Sequence, residues 1–249
     1  MKLHTVEWGA GPRYAVLVHG LFSDATCWHR LGPALAGLGY HVLAPDLRGH
    51  GGSPRGHYSP HDWADDLAET VAFRPELAIG HSLGGLALGL AAESLRPDTA
   101  VYLDPAWRMT TEQAYASGAA WSRWLTWTRR EELRRELGSR WPDRDVELRW
   151  ASMWRTDPDV IAGLAATGYD HSPRRAGTPS LVLAADPSEY VTADHAADLR
   201  RRGFVVETLA GSGHSAFRED HTRVLDRLRT WLAAVTRPAA AGRTVHEKA

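Results

Sequence analysis

Short apolar runs recur along the chain, and most are separated by stretches with apolar residues at helical spacing. The runs are Leu3–Trp8, Tyr14–Val18, His41–Ala44, Leu77–Ile79, Ala100–Leu103, Ser180–Ala184 and Phe204–Leu209, each of strand length. Helical spacing covers about Thr26–Leu38, Pro60–Phe73, Leu83–Leu95, Ala193–Arg202 and Phe217–Val235. Strands this uniformly apolar need cover on both faces. The alternation therefore predicts an α/β fold, a mostly parallel central sheet with helices on both sides. In such sheets ligands bind outside the carboxyl ends of the strands.

The alternation breaks between Trp107 and about Arg175, which contain no buried-strand run. Helical spacing persists there in Trp121, Trp124, Leu125 and Thr128, and again in Val146, Trp150, Met153 and Trp154. Arg129–Leu137 reads as a charged helix ending near Gly138. The chain thus divides into a sheet domain (1–105 and 176–236), a helical Trp-rich insertion (106–175) and a small polar tail (237–249) read as frayed. The insertion carries seven of the eleven tryptophans. A segment of this size cannot enclose so much aromatic area alone, so several should face the sheet domain and line an apolar pocket. Trp107, Trp124 and Trp154, with Phe22, are the expected pocket residues. The insertion's arginines alternate with acids and read as a solvated face.

Gly80-His81-Ser82-Leu83-Gly84-Gly85 lies between the apolar run Leu77–Ile79 and the helical pattern Leu83–Leu95. Strand, G-x-S-x-G and helix in that order predict a nucleophile elbow, whose glycines are needed where a Cβ would collide with the crossing strand and helix. A serine hydroxyl is a poor nucleophile at neutral pH and needs a base, itself oriented by an acid. Ser82 is the expected nucleophile. His214, in Gly211-Ser212-Gly213-His214-Ser215 after the run Phe204–Leu209, is the expected base. Leu83, following the nucleophile, should offer its backbone N–H to the oxyanion. Acid candidates are Asp186 after Ser180–Ala184, Asp104 after Ala100–Leu103, and Glu189.

With His19-Gly20-Leu21-Phe22 at the end of Tyr14–Val18, the three motifs keep the order oxyanion loop, serine, histidine. The chain here resembles the α/β-hydrolase family. The likeness extends to Ala44-Pro45-Asp46-Leu47-Arg48-Gly49-His50-Gly51 and spans about residues 10–105 and 176–235. The resemblance implies that the insertion is a cap and that Leu21 supplies the second oxyanion N–H. It also favours Asp186 as the acid, from the family order Ser…Asp…His, over Asp104, whose position some members use. The loop departs from the family pattern, because Ser188 stands where the acid is usual. The activity implied is hydrolysis of a carboxylic ester or lactone with an apolar or aromatic group through an acyl-enzyme, with no cofactor. C–C bond hydrolysis and thioester cleavage use the same triad, and a non-catalytic receptor on this fold is the rival class. The serine separates the chain from relatives that open epoxides or remove halide with an aspartate at the elbow.

Charge adds only exclusions. Lys+Arg number 29 against 30 Asp+Glu in 249 residues, which favours neither nucleic acid nor an anionic membrane surface. One cysteine, Cys27, excludes an internal disulfide and fits a reducing compartment; Met1–Trp8 has no apolar core of signal-peptide length and no window reaches membrane-span length, so a cytoplasmic protein is expected. No metal-ligand or phosphate-loop pattern appears, and Asp65, Asp66 and Glu69 read as an exposed helix face. Asp46 and Arg48 read as a buried structural pair and His50 as structural. The expected partner is a small apolar ester or lactone, bound by a monomer or homodimer.

Overall fold

The computed structural model describes residues 1–235, so the tail expected over 237–249 lies outside the described residues. The chain begins with β1 (Thr5–Trp8), β2 (Arg13–Val18), a 3-10 turn (Ala25–Trp28), α1 (Leu31–Ala36), β3 (Tyr40–Pro45) and α2 (Pro60–Thr70). Then follow β4 (Leu77–His81), α3 (Leu83–Leu95) and β5 (Thr99–Leu103). The insertion forms β6 (Arg108–Met109), α4 (Thr111–Trp124), α5 (Arg130–Leu137), α6 (Asp143–Met153), α7 (Val160–Ala165) and β7 (Tyr169–Asp170). The chain closes with β8 (Ser180–Ala184), α8 (Ala193–Arg201), β9 (Val205–Thr208), α9 (Ala216–Glu219) and α10 (His221–Val235).

The main sheet has the order β1-β3-β2-β4-β5-β8-β9. Only β1 is antiparallel to its neighbour. Side chains alternate between its faces as the pleat requires. Val16, Val18, Ala78, Ala100 and Tyr102 enter one core with Leu67 of α2 and Leu86 of α3. Ala15, Leu17, Ile79, Val101 and Leu103 enter the other with Leu35 of α1 and Leu228 of α10. Both cores are built from buried apolar side chains, which explains the near-continuous apolar central strands of the sequence.

Helix boundaries follow local chemistry. Ser59 caps α2 by accepting from Asp62 N, with Pro60 in its first turn, and Thr110 and Gln113 form a capping box on α4. The expected helix Thr26–Leu38 is instead a 3-10 turn followed by α1. Pro33 lacks an N–H and would clash with the carbonyl four residues back, so a helix can hold it only in its first turn. The expected helix Phe217–Val235 is likewise split at Asp220, whose carboxylate accepts from Arg223 N at 3.2 Å.

Two structural expectations need correction. Arg48 pairs with Asp66, not Asp46: Nη2 donates to Oδ1 at 2.7 Å, and both residues are buried. Asp66 shares the inner face of α2 with Trp63 and Leu67, so it is not part of an exposed acidic face. Asp46 instead accepts from the backbone N–H groups of Ala25 at 2.7 Å and Gly52 at 2.8 Å, tying the loops that follow β2 and β3. Cys27 is buried, as a small apolar side chain would be. No helix among the described residues is long and apolar enough to cross a membrane.

Two buried histidines brace these loops in the neutral form. His19 Nδ1–H donates to Gly20 O and Nε2 accepts from Leu47 N, both at 2.9 Å, so protonation at Nε2 would break a bond. His50 Nδ1–H donates to Arg48 O at 3.1 Å. Burial holds His19 below the usual 6.5 and pushes His50 down to about 3. The unfolded chain then binds more protons than the fold, so their contribution is full above the unfolded value and lost as pH falls below it. Urea unfolding at stepped pH should therefore show stability falling from pH 6.5 toward the acid side. His50→Gln should flatten the slope by up to about 1.4 kcal/mol per pH unit; an unchanged slope would contradict the assignment.

Candidate active site

Ser82 stands between β4 and α3 with φ 52° and ψ −118°, a conformation costly for a residue with a Cβ. Crowding imposes it. A Cβ on Gly84 would lie 2.2 Å from Val18 O and 2.4 Å from His19 O, and one on Gly80 would lie 2.6 Å from Gly84 O. Glycine at these positions lets α3 begin directly against β2. The turn is pinned on its other side, where Ser82 N donates to Leu103 O and Ala106 N donates to Ser82 O, both at 3.1 Å.

Facing the serine is the loop after β2. A Cβ on Gly20 would stand 3.0 Å from Ser82 Cβ, so this backbone passes directly over Ser82. Leu21 and Leu83 are both buried, and their backbone N–H groups have no acceptor among the described residues. Leu83 is also the first residue of α3, where the helix dipole adds positive potential. Phe22 takes φ 57° with its ring buried, and Ser152 Oγ of α6 donates to its carbonyl at 2.7 Å.

His214 lies in the loop after β9, beside the elbow. His81 Nε2–H donates to the His214 carbonyl at 2.9 Å, and the two rings lie 4.7 Å apart. Burial, with His214 as neighbour, keeps His81 well below the usual histidine value, so it is a neutral brace. His214 Nδ1–H donates to Asp104 Oδ2 at 2.7 Å, which leaves Nε2 as the basic nitrogen.

The carboxylate that meets His214 is therefore Asp104, in place of the expected Asp186. Asp104 follows β5, the strand hydrogen-bonded to β4, where His81 is in register with Leu103. One residue beyond, φ is 41°, so Asp104 joins Ser82 as a strained residue at the same sheet edge. Ser188 Oγ donates to Asp104 Oδ1 at 2.6 Å and Ala185 N donates to the same oxygen at 3.1 Å. Asp186 is exposed and accepts from Gly211 N at 3.1 Å, which braces the base of the histidine loop. Glu189 is also exposed. Ser188, in the sequence only a departure from the family pattern, holds the carboxylate that another strand supplies.

The expected aromatic wall is smaller than anticipated. Phe22 and Trp124 lie 6.1 Å apart, with Trp124 half-buried. Trp107 belongs to the sheet core: it is fully buried against Tyr102 and Phe204, and its Nε1–H donates to Gly85 O at 2.9 Å. Trp154 is 59% exposed and meets Trp150 on the surface. The insertion contributes another residue to this region, Arg149 of α6. Its Nη1 donates to Leu21 O and to Ser23 Oγ. The signal for it was a lone arginine in the apolar stripe Val146, Trp150, Met153.

A model of the alpha/beta hydrolase family matches residues 15–227. The chain is 35% identical over 99 residues to polyneuridine aldehyde esterase of Rauvolfia serpentina, covering 37% of this chain and 38% of that protein. It is 38% identical over 94 residues to epoxide hydrolase A of Mycobacterium tuberculosis, covering 34% and 29%. The matched stretch thus spans well under half the length of these curated relatives. Similar solved structures include an esterase from Exiguobacterium antarcticum (TM-score 0.74, 16% identity, 93% and 95% covered). A carboxylesterase study of Nitrososphaera gargenis supplies another (TM-score 0.77, 18% identity, 94% of each chain). At these identities the structural likeness establishes the fold.

If Asp104 orients His214, reaction with a fluorophosphonate should label Ser82 in the wild type. Asp104→Asn should slow labelling by about 10³–10⁴-fold, whereas Asp186→Asn should leave it within about twofold, since truncating an exposed side chain away from the histidine has little effect. Intact-mass kinetics distinguish the two, and equal loss in both variants would overturn the assignment.

Proposed function

The chain belongs to the alpha/beta hydrolase family, and from that premise we propose that it is a serine hydrolase acting on a carboxylic ester or lactone with an apolar or aromatic group. The observation that carries this reading is the 2.7 Å bond from His214 Nδ1 to Asp104 beside a positive-φ serine. Ser82 Oγ attacks the carbonyl while His214 Nε2 takes its proton, and Asp104 stabilises the resulting imidazolium. The N–H groups of Leu83 and Leu21 receive the oxyanion; loss of one such donor typically costs about 10²–10³ in rate. The alkoxide leaves with the proton from His214. Water, activated by the same nitrogen, then releases the acid and restores Ser82.

Serine at the elbow supports ester chemistry over epoxide opening, although one relative is named for the latter. A tetrahedral oxyanion flanked by backbone donors is what acyl transfer generates. Residues 106–175 act in this reading as a cap over the site, and α6 is the element nearest the chemistry because Arg149 and Ser152 bind the Leu21–Ser23 loop. Phe22 and Trp124 form the apolar wall for the acyl group, without Trp107 or Trp154. The partner is a small molecule, and a cytoplasmic setting fits the single buried Cys27.

Hydrolysis of p-nitrophenyl esters from acetyl to decanoyl tests the reading. The wild type should turn over the series with a chain-length optimum, and Ser82→Ala should lose about 10⁴-fold or more. No turnover above Ser82→Ala on any ester would sink it.

A further inference from the structure

Five buried side-chain polar atoms among the described residues lack a hydrogen-bond partner, and two of them converge: Trp124 Nε1 on α4 and Arg149 Nε on α6. The Arg149 guanidinium carbon lies 5.5 Å from the Phe22 ring centroid and 5.7 Å from that of Trp124. Both atoms are donors, on side chains that adjoin the Phe22 ring. Leu21, whose carbonyl accepts from Arg149, also carries one of the proposed oxyanion N–H groups.

Arg149, half-buried, differs from the two buried arginines of this protein. Arg48 is paired with Asp66, and Arg218 lies within 3.5 Å of Asp145. Among the described residues no carboxylate lies within ion-pair distance of Arg149. The acid nearest along the loop, Asp24, is taken by Arg155. Burial without a counter-charge, with Arg218 adding repulsion, pushes the Arg149 guanidinium down to about 9. It remains a cation at neutral pH. Arg149 spends Nη1 on the Leu21 loop, but its Nε and Trp124 Nε1 are buried N–H groups that face no acceptor, and such groups are costly to keep unless a ligand supplies one. Because both groups only donate, that ligand group must accept, and a guanidinium fork matches a carboxylate best.

We propose that Arg149, assisted by Trp124 Nε1–H, is a specificity-determining subsite for a carboxylate on the acyl part of the substrate, which makes half-esters of dicarboxylic acids the preferred substrate class. The inference rests on the hydrolase reading above and narrows it. The apolar stem of the acyl chain lies along Phe22, the scissile carbonyl sits at Ser82, and the far carboxylate enters between α4 and α6.

The test compares monomethyl glutarate and monomethyl adipate with methyl hexanoate in a pH-stat at neutral pH. The wild type should favour one of the half-esters by at least about tenfold in kcat/KM, mainly through KM. Arg149→Met should collapse that ratio to one or below, Arg149→Lys should keep part of it, and Trp124→Phe should lower it several-fold. In parallel, free glutarate and adipate should raise the melting temperature of Ser82→Ala but not of Ser82→Ala/Arg149→Met, a readout that needs no turnover. Equal kcat/KM for charged and neutral esters in the wild type would overturn the proposal. So would an unchanged ratio in Arg149→Met with all esters slowed together, since Arg149 would then only clamp the Leu21 loop. If no ester is hydrolysed, the hydrolase reading fails separately, and dicarboxylate binding to Ser82→Ala alone decides the subsite.

Discussion

A Cβ on Gly84 would come within 2.2 Å of the Val18 carbonyl oxygen, and this lack of room dictates the geometry around it. Because α3 starts directly against the end of β2, the chain must reverse within one residue, and Ser82 takes the positive φ that results. The same closeness brings the backbone at Gly20 over the serine and sets Leu83 N–H at a helix start beside it. The positions of Ser82 and of the backbone N–H groups facing it are thus consequences of one steric contact. The strain is tolerated because both neighbours are fixed: β4 pairs with β2 and β5, and α3 is packed on the sheet through Leu86 and Leu88.

Acid placement follows from strand order. With β5 next to β4 and β8 next to β5, the C-terminal ends of all three lie side by side, and either of two loops has room to carry a carboxylate toward His214. Here the nearer strand supplies it, and the farther loop supplies Ser188 and Ala185 N–H to hold Asp104 Oδ1. The exposed Asp186 has become a brace for the loop that presents the histidine.

The insertion is bound to the sheet domain at that same edge. Arg149 and Ser152 of α6 hold the Leu21–Ser23 segment, and Tyr58 Oη donates to Asp157 at 2.7 Å on the way into α7. Phe22 is the shared surface, with its ring toward Trp124 and its backbone held by α6.

Local order determined much of this protein. Seven strand-like runs became the seven strands of the sheet, and β4, β5 and β8, buried at every position, are the near-continuously apolar ones. The glycine-flanked serine and the histidine loop were legible because elbow and loop are defined by neighbours in sequence. Contacts between distant segments were not. Asp104 and Asp186 each follow a strand and precede a proline, so nothing local separates them; only the β5–β8 pairing and the 2.7 Å approach to His214 do. Arg48 could reach an acid on its own loop or on α2, and the inward face of α2 decided for Asp66. Seven tryptophans announced an aromatic insertion, but which were core, wall or surface depended on how α4 and α6 pack. That packing buried Trp107, left Trp154 in solvent, and set Arg149 against Phe22 with no carboxylate beside it.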